Sequence, residues 1–555
     1  MKIINYFIFL FVLMLSQQYT IMAQTFPYKG KWVDSVYNTL TPEERVGQLF
    51  MVAAYSGGDK ANAEKIEQLV AQHKIGGIIF MQGTAEAQAK LTNTLQQKGK
   101  VKLLIGMDAE WGLGMRLTGV RNFPRQMMLG ATRDTGIVYH MATAIAKQCK
   151  RLGVHIDFAP VIDINNNPKN PVINFRSFGE DKEWVSKLGI AYMNGLQDNG
   201  IMACAKHFPG HGDVAVDSHL DLPIVKKDKA ALTDMEFYPF KTLINAGVKS
   251  IMIAHLSMPA LDARANRPST VSYPIVTDIL KKEMGFGGLI FTDALDMKGI
   301  TKHFGLGEID LAAFEAGNDV LLFSQDVVLG TNKIMWALKT GAITEQRLEH
   351  SVKKILGAKY EAGLYKYQPL KEQKVTEDLN AVVDSIKAEA AEKAITLVRD
   401  RNKLLAQLEQ NTNITYVNIN SNTNPELFNL LAKKYNRIQK IDILSAKEGQ
   451  VNKAALNNLP KEGIVIVGIH NLSLYPGKTG AYGLQEKQIT ALQQLAKQKN
   501  VIFAIMGNAY SIKPICNAGS ILVGYEDDLY TQKAMFNVLT AQKKPLGRLP
   551  VSVCK

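Results

Sequence analysis

Between Val46 and Phe323 the chain returns eight times to a short apolar run of β-forming residues, each followed by a longer amphipathic or polar stretch. The runs are Val46–Val52, Gly77–Met81, Val101–Met107, Val154–Phe158, Ile201–Ala205, Ser250–Ala254, Gly288–Phe291 and Asp319–Phe323. Unbroken hydrophobicity suits strands buried on both faces of a parallel sheet, and eight such strands close a (β/α)8 barrel. Periodicity alone leaves an open doubly wound sheet as the alternative.

The residues that follow the runs add to the barrel reading. Asp108 and Glu110 come after the third, Lys206 and His207 after the fifth, His255 after the sixth and Asp293 after the seventh. Barrel active sites gather on that rim, although polar residues also end strands for purely structural reasons. A helical stretch, Thr344–Tyr360, and a polar connector near Tyr365–Lys374 end the region, and a long Ala/Glu-rich helix candidate, Val382–Thr396, follows. Strand candidates at Ile414–Ile419, Gly463–Gly468, Val501–Met506 and Ser520–Val523 are too few for a second barrel. The expected architecture is therefore α/β throughout: a TIM-type barrel over residues 24–370, then a smaller doubly wound α/β sandwich domain with its linker helix over 371–555.

Lys2 ahead of the apolar run Ile3–Leu15, with a possible cut after Ala23, reads as an export signal over residues 1–23. That run is shorter than the roughly 20 residues a bilayer crossing needs. The mature protein is expected in the periplasm or outside the cell, with no membrane insertion after signal removal. Its formal charge falls from +14 to +13 when Lys2 is lost, which favours anionic surroundings such as cell-wall polymer. The basic residues are dispersed, and no nucleic-acid module is present. Cys149, Cys204, Cys516 and Cys554 lie far apart with no Cys-x-x-Cys pair, so they are expected as small buried hydrophobes without a disulfide framework. No cofactor is expected either. Gly477-Lys478-Thr479 has Leu472 where a phosphate-binding loop needs glycine, and no Gly-x-Gly-x-x-Gly opens a helix.

The stretch from Lys206 to His219 packs three histidines, two carboxylates and a lysine around Pro209, Gly210 and Gly212. It is expected to leave a strand at His207 and run on as a mobile polar loop, the kind of segment that carries function. A glycosidase needs an anion beneath the anomeric carbon and a proton donor at the leaving oxygen. Asp293, at the end of an apolar strand, suits the first, whereas Asp296 reads as the cap or first turn of the next helix. Asp217 lies two residues from His219, and a carboxylate that accepts from an imidazole favours its protonated form, making His219 a candidate donor. A metal set of His207, His211, Asp213 and His219 is disfavoured, because Pro209 and Gly210 deny the two histidines a common helical face. Arg176, set between aromatics, could aim its rigid fork at sugar hydroxyls or bridge loops structurally, and Asp108 with Trp111 makes a polar and aromatic lip.

Lys206-His207-Phe208-Pro209-Gly210-His211-Gly212-Asp213, running on to Asp217-Ser218-His219 and Leu222-Pro223, resembles glycoside hydrolase family 3, in particular its β-N-acetylhexosaminidase branch. Arg176-Ser177-Phe178-Gly179 and Thr292-Asp293-Ala294-Leu295 carry the same resemblance. It spans about Thr41 to Tyr365 and, more loosely, Gly547–Val553. The resemblance implies a retaining exo-β-N-acetylglucosaminidase with Asp293 as nucleophile and an Asp217–His219 acid/base pair. It also implies that Asp108, Arg176, Lys206 and His207 bind the N-acetylglucosamine. Many relatives carry Glu-Gly-Gly where this chain has Glu110-Trp111-Gly112. The expected partner is a carbohydrate, from peptidoglycan fragments or chito-oligosaccharides. Two alternatives remain open: a β-glucosidase or xylosidase of the family with its acid from the second domain near Glu526, and a non-catalytic protein that binds wall sugars.

Overall fold

The computed structural model describes residues 30–554, apart from 59, 216–220, 409–411, 445–450 and 478–480. The signal reading over 1–23 lies outside the described residues.

Eight strands form the first sheet: β1 (Phe50–Ala54), β2 (Gly77–Phe80), β3 (Leu104–Met107), β4 (Ile156–Asp157), β5 (Met202–Phe208), β6 (Ser250–Ile253), β7 (Leu289–Thr292) and β8 (Leu321–Leu322). Their order is β8-β1-β2-β3-β4-β5-β6-β7, and every neighbouring pair is parallel. A parallel bridge between Phe291 and Val320 joins β7 to the start of β8, so the sheet closes on itself as the barrel reading requires. All seven residues of β5 and all four of β2, β3, β6 and β7 are buried, which explains why the runs read as continuously apolar. The interior is packed rather than hollow. Phe158 meets Phe291 edge-on at 5.3 Å, and a Cβ on Gly106 would lie 2.6 Å from the Phe158 ring.

One strand boundary moves. Val46 belongs to the helix Pro42–Gly47 and not to β1, because the Thr41 side chain accepts from the Glu44 N–H at 3.2 Å while the Glu44 carboxylate accepts from the Thr41 N–H at 3.1 Å. That reciprocal cap, with Pro42 in the first turn, starts a helix inside the apolar run.

The second sheet has six strands: β9 (Thr396–Asp400), β10 (Ile414–Ile419), β11 (Ile438–Leu444), β12 (Ile464–Ile469), β13 (Val501–Ile505) and β14 (Ser520–Val523). Their order is β9-β14-β13-β12-β10-β11, with β9 antiparallel to β14 and the others parallel. Chain order reverses direction between β10 and β12, as in doubly wound folds. β9 and β11, which the sequence reading did not find, are the two edges. Edge strands face water and alternate in polarity, so they lack the apolar run that marks β10 and β12. Ahead of them the helix Val383–Ala394 buries Val383, Ala390, Ala391 and Ala394. The core of this sheet also takes in Trp111, Met127, Met128, Ala131 and Phe175 from the barrel side, so the second layer is packed onto the barrel.

The cysteine expectation needs correcting for one pair. Cys149 and Cys204 are free and buried, but Cys516 and Cys554 form a disulfide with their Cα atoms 5.3 Å apart. Linear spacing concealed this because the chain folds back. The Arg548 N–H donates to the Ala131 carbonyl at 2.9 Å, and the Pro550 carbonyl accepts from the Glu180 N–H at 3.0 Å. No helix among the described residues is long and apolar enough to cross a membrane.

Candidate active site

The rim at the strand ends encloses a cavity of about 440 Å³ whose walls include Asp108, Glu110, Arg176, Lys206, His207 and Asp293. Four of the predicted binding residues and the predicted nucleophile are therefore brought together.

Strand β3 hands over to Asp108 and Glu110, and β5 presents Lys206 to both. Lys206 Nζ lies 2.7 Å from Asp108 Oδ1 and 2.9 Å from Glu110 Oε1, with only 2% of its side chain exposed. Arg116, which the sequence reading passed over, pairs with the other oxygen of Asp108. Arg176 grips Glu110 with two parallel bonds, Nε to Oε2 at 2.9 Å and NH2 to Oε1 at 2.7 Å. Thus the Arg176 fork is turned chiefly on a carboxylate, while the residue still lines the cavity. Burial pushes the Glu110 carboxyl up, but Arg176 and Lys206 overcome it and hold the group at about 2. Asp108 is likewise kept well below its usual range, Lys206 and Arg116 outweighing its burial. Lys206 is raised: burial opposes its charge, and Asp108 and Glu110 more than restore it. The Asp108 and Glu110 carboxyls are therefore ionised at neutral pH and have no proton to donate as acids.

Two aspartates behind this layer were also missed. Asp157, the last residue of β4, accepts from the Ala109 N–H at 3.0 Å and from the Tyr192 hydroxyl at 3.3 Å, bracing the turn between Asp108 and Glu110. Burial lifts its carboxyl to about 7. Asp163 accepts from the His211 N–H at 2.6 Å and lies 2.7 Å from His207 Nδ1, which fixes the ring plane of His207. The one signal for either in the sequence is an acidic residue at or just past a strand end.

Strand β5 runs through His207 to Phe208, one residue further than expected, and the Lys206–His207 and Phe208–Pro209 peptides are cis. The expectation of a mobile polar loop from His207 is corrected for residues 207–212, all of which are buried. Gly212 packs so closely that a Cβ there would fall 1.7 Å from the Ile164 carbonyl oxygen. The His211 imidazole, buried beside His207, is pushed down to about 4. Asp217 and His219 lie outside the described residues. Among the described residues no cluster of three or more His, Cys, Asp or Glu side chains is arranged to hold a metal ion.

Asp293 follows β7 directly. Its N–H donates to the Ile253 carbonyl at 2.9 Å, and its Oδ1 accepts from the Ala294 N–H at 2.8 Å. The cap expectation for Asp296 is overturned: the short helix Lys298–Thr301 is entered through Met297, and Asp296 is an exposed loop residue on the cavity wall. The turn ahead of that helix is one residue longer than the sequence suggested.

Tyr475 is the residue of the second sheet's domain that lines this cavity, among the described residues. It meets Phe175 edge-on at 5.1 Å, and Phe175 in turn lies 5.8 Å from Trp111. No sequence signal marks Tyr475, which arrives through contact between domains. Glu526 does not line the cavity. It accepts from the Arg125 N–H at 2.7 Å, sits 3.5 Å from the Arg125 guanidinium, and borders a separate cleft.

Residues 41–358 match the Glycosyl hydrolase family 3 N terminal domain. The chain is 38% identical over 282 residues to Beta-hexosaminidase A of Pseudoalteromonas piscicida, a stretch covering 46% of this chain and 47% of that protein. It is 30% identical over 379 residues to the Beta-N-acetylglucosaminidase/beta-glucosidase of Cellulomonas fimi, covering 66% of each. The chain thus spans about half to two thirds of the length of these two relatives. Among solved structures, a glycoside hydrolase family 3 beta-N-acetylglucosaminidase from Paenibacillus sp. str. FPU-7 superposes with a TM-score of 0.74 at 29% identity, covering 93% of this chain and 99% of that one.

Proposed function

The chain belongs to glycosyl hydrolase family 3, and from that premise we propose that it is a retaining exo-β-N-acetylglucosaminidase. In the first step an Asp293 oxygen bonds to C1 of a terminal β-linked N-acetylglucosamine as the C1–O bond to the leaving sugar breaks, and His219 gives that oxygen its proton. In the second, His219 takes a proton from water, whose oxygen displaces Asp293 from C1. Asp108, Lys206, Arg176 and His207 hold the sugar meanwhile. While Asp293 is anionic, it and Asp217 favour the protonated imidazole, and esterification deletes one of those charges, so the same ring becomes the better base when water must be activated.

The observation that carries this reading is the composition of the cavity wall. Asp293 stands on it at a strand end, Asp108 and Glu110 are committed to cations, and no carboxylate of the second domain is on it among the described residues. The segment that places His207 and His211 on that wall runs on in sequence to Asp217 and His219, which supports assigning the proton transfer to this pair. The relatives' names, beta-hexosaminidase and beta-N-acetylglucosaminidase, support the sugar.

Peptidoglycan fragments are the proposed natural substrate, with chito-oligosaccharides as the second candidate, and the site of action is the periplasm or the exterior. The Cys516–Cys554 disulfide supports export, because such bonds persist in oxidising compartments. Paired assays with aryl N-acetylglucosaminide and aryl glucoside, and mass analysis of products from purified muropeptides, test the proposal. Release of N-acetylglucosamine that Asp293→Ala abolishes is the expected result. Faster release of glucose would return the β-glucosidase alternative, and no release of either sugar would return the wall-binding one.

A further inference from the structure

The Asp293 turn is locked by two neighbouring strands and one buried side chain. The Asp293 N–H is bonded to the Ile253 carbonyl on β6 at 2.9 Å, and the Leu295 N–H to the Leu322 carbonyl on β8 at 2.9 Å. Between them the Ala294 carbonyl accepts from His255 Nε2 at 2.8 Å, the one side chain among these contacts. With the peptide groups on both sides held, the group joining residues 293 and 294 has a fixed orientation, and its N–H donates to Asp293 Oδ1 at 2.8 Å. That bond ties one oxygen of the carboxyl group to the oriented turn.

His255 is fully buried, follows β6 and is absent from the cavity wall, so it cannot touch a bound sugar. Its other nitrogen, Nδ1, lies 2.5 Å from Thr270 Oγ1, and Thr270 is itself bonded to the Ala254 carbonyl at 2.7 Å. A carbonyl oxygen only accepts, so Nε2 carries a proton and points it at Ala294, with Thr270 holding the ring at its far side.

We propose that His255 is a positioning residue: through the Ala294 carbonyl it aims the Asp293 carboxylate at the anomeric carbon. The inference rests on the reading of Asp293 as nucleophile. A misaimed nucleophile slows bond formation without changing how the substrate's hydroxyls are held. His255→Leu should therefore lower kcat on an aryl N-acetylglucosaminide about 100-fold, the cost of roughly an ångström of misplacement. KM and the inhibition constant of free N-acetylglucosamine should stay unchanged. His255→Gln, whose amide can again offer an N–H to Ala294, should recover most of the lost kcat at the same melting temperature as the leucine variant.

Full activity in His255→Leu, equal losses in the leucine and glutamine variants, or KM and the inhibition constant rising together with the fall in kcat would each overturn the inference. If His255→Leu fails to fold, Thr270→Val answers instead, since it releases the far side of the ring while the Ala254 carbonyl keeps its bond from the Ser269 hydroxyl. It should lower kcat at constant KM, and an unchanged kcat there would overturn the inference too. Asp293→Gly is assayed alongside, with and without azide to replace the missing nucleophile. An active Asp293→Gly enzyme would sink the nucleophile reading itself. An inactive one that azide restores, beside an unimpaired His255→Leu, would sink the positioning inference alone.

Discussion

Arg176 clasps Glu110 with two parallel hydrogen bonds of 2.9 and 2.7 Å, and Glu110 has none of its side chain exposed. The pair is a rigid floor for the cavity, because the planar fork matches the carboxylate and lysine cannot reproduce both bonds. Arg176→Lys should raise KM about 10- to 100-fold, the worth of a charged hydrogen bond of about 1.5–3 kcal/mol. Arg176→Ala should also destabilise the fold by about 3–5 kcal/mol, since it strands the Glu110 charge without its closest partner. Kinetics on an aryl N-acetylglucosaminide and urea unfolding of both variants check this, and an unchanged KM in Arg176→Lys would contradict it.

The identity of the acid is open to a direct comparison. His219→Ala should cost about 100- to 10,000-fold on natural disaccharides and far less on substrates with very good leaving groups, the usual span for general acid catalysis. Glu526→Gln should leave kcat in place, because Glu526 is occupied by Arg125 and borders another cleft. Equal losses of His219→Ala on both substrate types would remove His219 from the acid role, and a silenced Glu526→Gln enzyme would give that role to the second domain.

Asp157 should make stability depend on pH. Burial raises its carboxyl to about 7 in the folded protein, against about 3.9 for an unfolded aspartate. Between those values the folded state keeps a proton that the unfolded chain has released, so its contribution is whole below the unfolded value and is lost as pH rises, at up to about 1.4 kcal/mol per pH unit. Asp157→Asn keeps an acceptor for the Ala109 N–H and abolishes the titration. Urea midpoints from about pH 4 to pH 8 should show the variant gaining on the wild type as pH rises, and parallel curves would refute the assignment.

The Cys516–Cys554 bond closes a loop between residues 38 apart, for which the chain-entropy argument gives about 4 kcal/mol of stabilisation. Replacing both cysteines by serine, or adding reductant, should lower the urea midpoint accordingly. A midpoint indifferent to reductant would show that the bond is not formed in solution.

All eight barrel strands were legible, because burial on both faces leaves an apolar run, and the same signal marks β10, β12, β13 and β14 of the second sheet. Asp108, Lys206, His207 and Asp293 were legible as ionisable residues where such runs stop. Asp157 and Asp163 were not, since an aspartate near a strand end is unremarkable until the backbone N–H groups and rings it serves are placed around it. Tyr475 was not, because it reaches the cavity through domain packing that no local pattern records. The edges β9 and β11 were lost to their mixed polarity. The disulfide was lost because separation along a chain carries no information about proximity in space.

Arg176 leads into Ser177-Phe178-Gly179-Glu180, and there the barrel rim is buttressed by residues more than 360 positions downstream, with the Pro550 carbonyl and the Ser552 N–H both bonded to Glu180. A Cβ on Gly179 would stand 2.4 Å from the Pro550 oxygen, so the two segments fit together without slack. An emerging chain therefore cannot finish the rim of its cavity when the barrel alone is out. The rim waits for residue 552, and a protease that trims a few residues past 547 would blunt the enzyme from the far end of its sequence.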